Sequence, residues 1–419
     1  MDKIEYPNTI PMSKNPITDA ELRKLGIDKK SFNIVENLDV LRGQVPNMVL
    51  ALACKNRNIM QEKFKKQKLV KGQTYLMSLG IYQQLKQERS GVKLFKPASK
   101  FSSIYRPYNG QDLTNKKLLV IRTGGIGDLL FIQPNLIHLK EKYPSCEISL
   151  ACGPQYHSMV ENWDCVDNVH LLPVNRGIVA RADYHAIFEG VIERCEMAET
   201  TNAYRLFTDW LGINLPDEKL IPHQKPKDVE VEYAKKILED WGVEPGEFYL
   251  FQIRASSPIR TPRPTIWKTL IDKLLDDGKK IIITDSPYMD VQIDSFCDAF
   301  GDHKNKNIFN FCHYSKSLDK SIALASMAKM TISPDSSFIH IAQSLGVKSF
   351  GVYGAFDGDI RLSTYKDCDY YLCKTKEECG PCFLHGQNPC KNSKNGHPIC
   401  YDNIDYDICY KQIKELADD

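Results

Sequence analysis

Residues 117–134 read KLLVIRTGGIGDLLFIQP. Leu118 to Ile121 is a short apolar, partly β-branched run, the pattern of a buried strand. Three glycines follow, Gly124, Gly125 and Gly127. They allow tight turns that bring backbone close to a ligand. Asp128 comes next, then an apolar run with Pro134, a residue tolerated in a helix mainly at its first turn. The stretch therefore reads as strand, glycine loop with one carboxylate, then helix. In a doubly wound α/β sheet that unit borders a ligand crevice at the strand ends. The spacing is neither the G-x-G-x-x-G of dinucleotide folds nor a P-loop, which needs Gly-Lys-Ser/Thr. Asp128 also has a plainer reading as a helix cap.

A chain of 419 residues exceeds one core and calls for two or three domains. Its 42% hydrophobic and 26% charged residues place it among ordinary globular proteins. No segment has the apolar length of a transmembrane helix, and MDKIEYPNTIPMSKN has no apolar signal core. The expected location is the cytoplasm (that of the host, if phage-encoded). The net charge of +2 conceals an asymmetry: residues 1–115 hold 20 Lys/Arg against 10 Asp/Glu, so the remainder is acidic. The excess concentrates in 55–100 and includes Lys63, Lys65, Lys66 and Lys68. Such a run is either a solvated face or a patch for a polyanion such as DNA.

In order along the chain, residues 1–115 read as a basic, mostly helical extension. A capping box is expected at Thr18–Glu21, with helices at Val45–Met60 and Thr74–Glu88 and an irregular linker over Ser90–Asn115. Strand–helix alternation begins at 116. A first Rossmann-like domain spans 116–228, with strands at 117–122, 146–152, 168–174 and 184–189. A second spans 229–365, with strands near 248–253, 280–284, 307–311, 330–333 and 348–353. The last part, 366–419, is a Cys-rich tail ending in a helix near Tyr406–Ala417. The fold class is α/β, two doubly wound domains expected to face a cleft.

The second domain has candidate anion-binding residues at its strand ends. Asp335 and Ser336 precede a helix whose free N–H groups suit phosphate, and His340 lies on that helix. Gly354 opens the loop after the next strand. Arg254, Ser256, Arg260 and Arg263 lie in one loop. Each has a bland alternative: His340 as a packing histidine, Arg260 and Arg263 as solvated loop. Their joint placement at strand C-terminal ends favours a site.

Together these stretches resemble the heptosyltransferases, glycosyltransferase family nine, which have the GT-B fold. The resemblance runs from about Lys116 to Tyr410. It rests on Arg122-Thr-Gly-Gly-Ile-Gly127-Asp128-Leu-Leu with Pro134, on the Leu136–Pro154 continuation, and on Asp335-Ser336 with His340. Ala255-Ser256 through Arg260 to Trp267 completes it. Where the family has Asp-Ser-Gly-Pro, this chain has Asp335-Ser336-Ser337-Phe338, and an Arg stands in for a Lys before the Trp. The resemblance implies inverting transfer from a nucleotide-diphosphate sugar. Asp128 would be the general base, Arg122, Gly124, Gly125 and Gly127 its acceptor-side loop, and the second-domain residues the donor site, with no catalytic metal. The acceptor reading favoured by the basic extension is a hydroxymethylated base in phage DNA. The alternative is lipopolysaccharide core or another envelope glycan, with ADP-heptose as donor.

Seven of the fourteen cysteines lie between 368 and 409. Cys379-Gly-Pro-Cys382 opens like a zinc site, with Cys390 and Cys400 following at irregular spacing. The reading is a structural clip, a zinc site in preference to disulfides, since a cytosolic chain keeps its thiols reduced.

Overall fold

A computed structural model describes residues 48–53, 57–61, 65–87, 92–94, 104–189, 191–194, 196–301, 305–374, 379–384, 390–393 and 397–418. The capping box expected at 18–21 and Lys63 lie outside them. The chain divides into two compact units, Met1–Pro216 and Asp217–Asp419.

The first unit begins with β1 (Met48–Ala53), β2 (Arg57–Gln61), β3 (Lys65–Leu69), β4 (Thr74–Ser78) and β5 (Val92–Leu94). This overturns the helix expected over 45–60 and, for the described part, the mostly helical extension. Only Leu79–Gln87 of the second expected helix is helical. Met, Leu and Ala favour helices locally, but β1 has strand partners on both sides. Met48 through Leu52 pair antiparallel with Ser78 through Thr74, and Ala51 to Ala53 pair with β5. Long-range pairing overrides a weak propensity.

The glycine-loop unit follows, with β6 (Lys117–Ile121), β7 (Glu147–Cys152), β8 (Asn168–Leu171), β9 (Val174–Asn175) and β10 (Tyr184–Ile187). The run 168–174 divides because the short β9 leaves this sheet and pairs antiparallel with β4. The extension and the α/β unit thus share a sheet. They also share a core in which Leu76 of β4 meets Leu119, Ile121 and Ile187. The parallel sheet has the order β10-β6-β7-β8. The helix Ile126–Lys142 after β6 starts earlier than expected, so Pro134 sits in its interior. An interior proline removes one helical hydrogen bond.

The described residues from 104 onward are less irregular than the linker expected there. Residues Arg106–Tyr108 run beside β10: His185 N–H donates to the Arg106 carbonyl and Tyr108 N–H to the His185 carbonyl. The His185 ring is buried, accepts Arg106 N–H at Nδ1 (3.0 Å) and bonds the Val179 carbonyl through Nε2 (2.8 Å). Burial and then the Arg106 charge lower its pKa below 6.5, although both backbone bonds act the other way. The unfolded chain therefore binds this proton first as pH falls, and stability is lost from about pH 6.5 downward. We expect His185→Gln to lower Tm at pH 8, with the gap from the parent protein narrowing towards pH 5. A gap independent of pH would refute this.

The second unit contains β11 (Phe248–Phe251), β12 (Lys280–Ile283), β13 (Ile308–Asn310), β14 (Met330–Pro334), β15 (Ser349–Tyr353) and β16 (Cys368–Leu372). All six are parallel, in the order β13-β12-β11-β14-β15-β16. The expected strands appear, and β16 from the Cys-rich tail adds a sixth. The tail packs into this unit's core: Cys373, Cys400, Tyr401, Cys409 and Ile413 join Phe251, Trp267 and Ile283. Its last helix is Tyr406–Asp418. No helix among the described residues is long and apolar enough to cross a membrane.

Candidate active site

Both sheets have a reversal of strand order. In the first unit the chain moves from β6 outward to β7 and β8, then returns to place β10 on the other side of β6. In the second it moves from β11 to β12 and β13, then returns to β14. Loops leaving the two strands at such a point diverge to opposite faces and leave a crevice at their carboxyl ends. In the first unit those loops start at Arg122 and Phe188; in the second, at Gln252 and Asp335.

At the first switch point Arg122 is 1% exposed, a cost its partners must offset. Its Nη1 donates to the Phe188 carbonyl (2.7 Å) at the end of β10. Its Nη2 meets Asp128 Oδ2 at 2.9 Å. The same oxygen accepts Gly125 N–H (2.9 Å), capping the start of the helix from its first turn. Asp128 is thus a cap and an ion-pair partner at once, its side chain 24% exposed. An arginine and a helix N-terminus both stabilise negative charge there. The glycines differ in what they do. A Cβ on Gly124 would lie 2.3 Å from Asp128 Oδ2 and 2.5 Å from Arg122 Nε, whereas one on Gly125 would come no nearer than 3.9 Å. Gly127 lies inside the first helical turn.

At the second switch point Arg260 joins the two lips. Nη2 donates to Ser256 Oγ (3.1 Å), and Nη1 lies 3.4 Å from Asp335 Oδ2. The buried Arg260 Nε has no partner among the described residues. Ser336 Oγ donates to Gln252 Oε1 (2.7 Å) and accepts Phe338 N–H (3.2 Å), capping the helix Ser337–Ser344. Arg254 makes a bidentate pair with Asp285 at the end of β12 (3.0 and 3.1 Å). The structure therefore brings Arg260, Ser256, Asp335 and Ser336 together.

Three expected donor residues fall elsewhere. Arg263 pairs with Asp402 at 3.5 Å. His340 is buried and bonds the Tyr365 hydroxyl at 2.7 Å, the surroundings of a packing histidine. Gly354 faces the tail, where a Cβ would meet Cys400 Sγ at 2.5 Å. Sequence reading missed Gln252, Asp285 and Glu189; the signal available for each was a polar residue at the carboxyl end of a strand.

Among the described residues no three Cys, His, Asp or Glu gather to hold a metal, and none of the four cysteines expected to form a clip is in a disulfide. Cys400 is buried in the core while Cys382 is exposed. Burial first, then the neighbouring Cys382 and Cys390, push the Cys400 thiol up to about 12. Lys65, Lys66 and Lys68 lie on β3, paired antiparallel with β2.

Two parallel α/β units, each with polar side chains at its switch point, are the architecture of the GT-B fold. Residues 205–392 match the profile described as Glycosyltransferase family 9 (heptosyltransferase). That match, over less than half of the chain, agrees with the resemblance and marks a glycosyl-transfer enzyme. No curated protein matches the chain as a relative. Among solved structures it is similar to the Veillonella parvula DSM 2008 glycosyl transferase of family 9, at 14% identity and TM-score 0.58, over 74% of this chain and 99% of that one. It is similar to E. coli ADP-heptose LPS heptosyltransferase II, at 14% identity and TM-score 0.51, over 72% and 98%. The iron-containing dodecameric glycosyltransferase TibC from enterotoxigenic E. coli H10407 is similar at 12% identity and TM-score 0.50, over 88% and 90%.

Proposed function

We propose that the chain transfers heptose from ADP-heptose to a hydroxyl of a cell-envelope glycan of the lipopolysaccharide-core kind, with inversion at the sugar C1. The observation that carries this is the family-nine match laid over the second switch point, where Arg260 links Ser256 to Asp335. The neighbours named above support the donor: one is an ADP-heptose LPS heptosyltransferase, and TibC has a structure with ADP-D-beta-D-heptose.

In this reading Asp128 takes the proton of the acceptor hydroxyl as its oxygen bonds to C1. The bond from C1 to the diphosphate oxygen breaks, and its electron pair leaves on ADP. Arg260, Ser256, Ser336 and the helix N-terminus at Ser337 stabilise that charge. The unpartnered Nε of Arg260 suits an anionic oxygen, because a buried donor left unpaired costs about 1–3 kcal/mol. Arg260→Gln should lower kcat/KM for ADP-heptose about 100-fold, the scale of losing one such donor. A value within twofold of the parent would remove Arg260 from the donor site.

The DNA-base acceptor loses its main argument. That reading took the basic extension as superfluous for a sugar transferase. The likeness to TibC covers more of this chain than residues 116–419 can supply, so part of the extension has a counterpart in the fold of a glycosyltransferase. The test offers ADP-heptose with either heptose-deficient lipopolysaccharide core or duplex DNA containing hydroxymethylcytosine. Heptose on the core supports the proposal; heptose on the duplex, or on neither, overturns it.

A further inference from the structure

Glu189 lies across the first switch point from Asp128, one residue beyond the Phe188 carbonyl that anchors Arg122. It is a buried carboxylate, 6% exposed, at a strand end. One oxygen accepts the backbone N–H of Thr123 and the other accepts the Thr123 hydroxyl, the latter at 2.6 Å. Residues 188 and 189 therefore hold residues 122 and 123 at three points. Arg122 in turn holds Asp128. The bulk excluded at Gly124 leaves the loop little freedom between these anchors.

We infer that Glu189 is a positioning residue for transfer, acting through Thr123 to fix the glycine loop and, through Arg122, the direction of the Asp128 carboxylate. A hydrophobic or amide side chain would fill the same place in the core at less desolvation cost. The carboxylate adds two strong acceptors spaced to take an N–H and an O–H of one residue. Such anchoring matters for rate because a misplacement of about 1 Å at a reacting group costs about 100-fold. This inference rests on the reading of Asp128 as the base.

The test measures ADP release from ADP-heptose with heptose-deficient lipopolysaccharide core as acceptor, alongside Tm, for five variants. In Glu189→Gln the amide keeps one acceptor but replaces the other with a donor. We expect kcat about 10- to 100-fold lower, KM for ADP-heptose within twofold, and Tm within a few degrees of the parent. Thr123→Val should match it, Thr123→Ser should restore most of the rate, and the Glu189→Gln/Thr123→Val double variant should be no slower than either single one. Parental kcat in Glu189→Gln, or additive losses in the double variant, would overturn the role of Glu189 while Asp128→Asn stays inactive. An active Asp128→Asn would overturn the base assignment and this inference with it.

Discussion

Asp128→Asn is expected to reduce transfer about 1,000-fold, within the range of 10²–10⁴ for a lost general base. The amide keeps an oxygen for Gly125 N–H, so the helix start retains its cap. It loses the charge facing Arg122, which is 1% exposed, and this should cost about 1–3 kcal/mol. Binding of ADP should not change, because the Arg260 cradle belongs to the second unit. Activity, Tm and calorimetric ADP binding measured together separate these effects. Near-parental turnover would show that Asp128 is only a cap and an ion-pair partner.

Gly124→Ala should come next in size, with transfer down about 100-fold and stability down about 1–3 kcal/mol. The added Cβ would fall 2.3 Å from Asp128 Oδ2 and 2.7 Å from Arg122 Nη2. Ends of long side chains usually move aside cheaply, but this guanidinium is buried and tied to the Phe188 carbonyl. The alanine must therefore part the pair. Gly125→Ala is the control, since its Cβ would meet nothing closer than 3.9 Å. Equal behaviour of the two variants in the transfer assay would show that an intact Arg122–Asp128 pair is not required.

The two variants mark how far the site could be read in advance. Glycines and a carboxylate after an apolar run were visible as a ligand loop, but nothing in Gly124-Gly125 said which glycine was obligatory. That follows from where two side chains end in space. Arg254, Arg260 and Arg263 were equally plausible phosphate ligands by spacing. The structure pairs Arg254 with Asp285 and Arg263 with Asp402, and sets Arg260 between Ser256 and Asp335. His340 fitted a site by motif and a core by surroundings. Glu189 had no motif at all, because its partner is 66 residues away.

Local order in the chain determined the α/β class, nearly every strand of the two parallel sheets, the glycine-loop helix and the family resemblance. These depend on apolar periodicity and on short-range turn and capping chemistry, which a sequence carries directly. Tertiary structure alone decided that the described part of the extension carries strands, that β9 joins it to the α/β unit, and that described residues of the cysteine tail enter the core. It also decided which polar side chains meet at the switch points. Those outcomes turn on pairing and packing between residues far apart in sequence, where a modest local preference yields to partners that only the folded chain supplies.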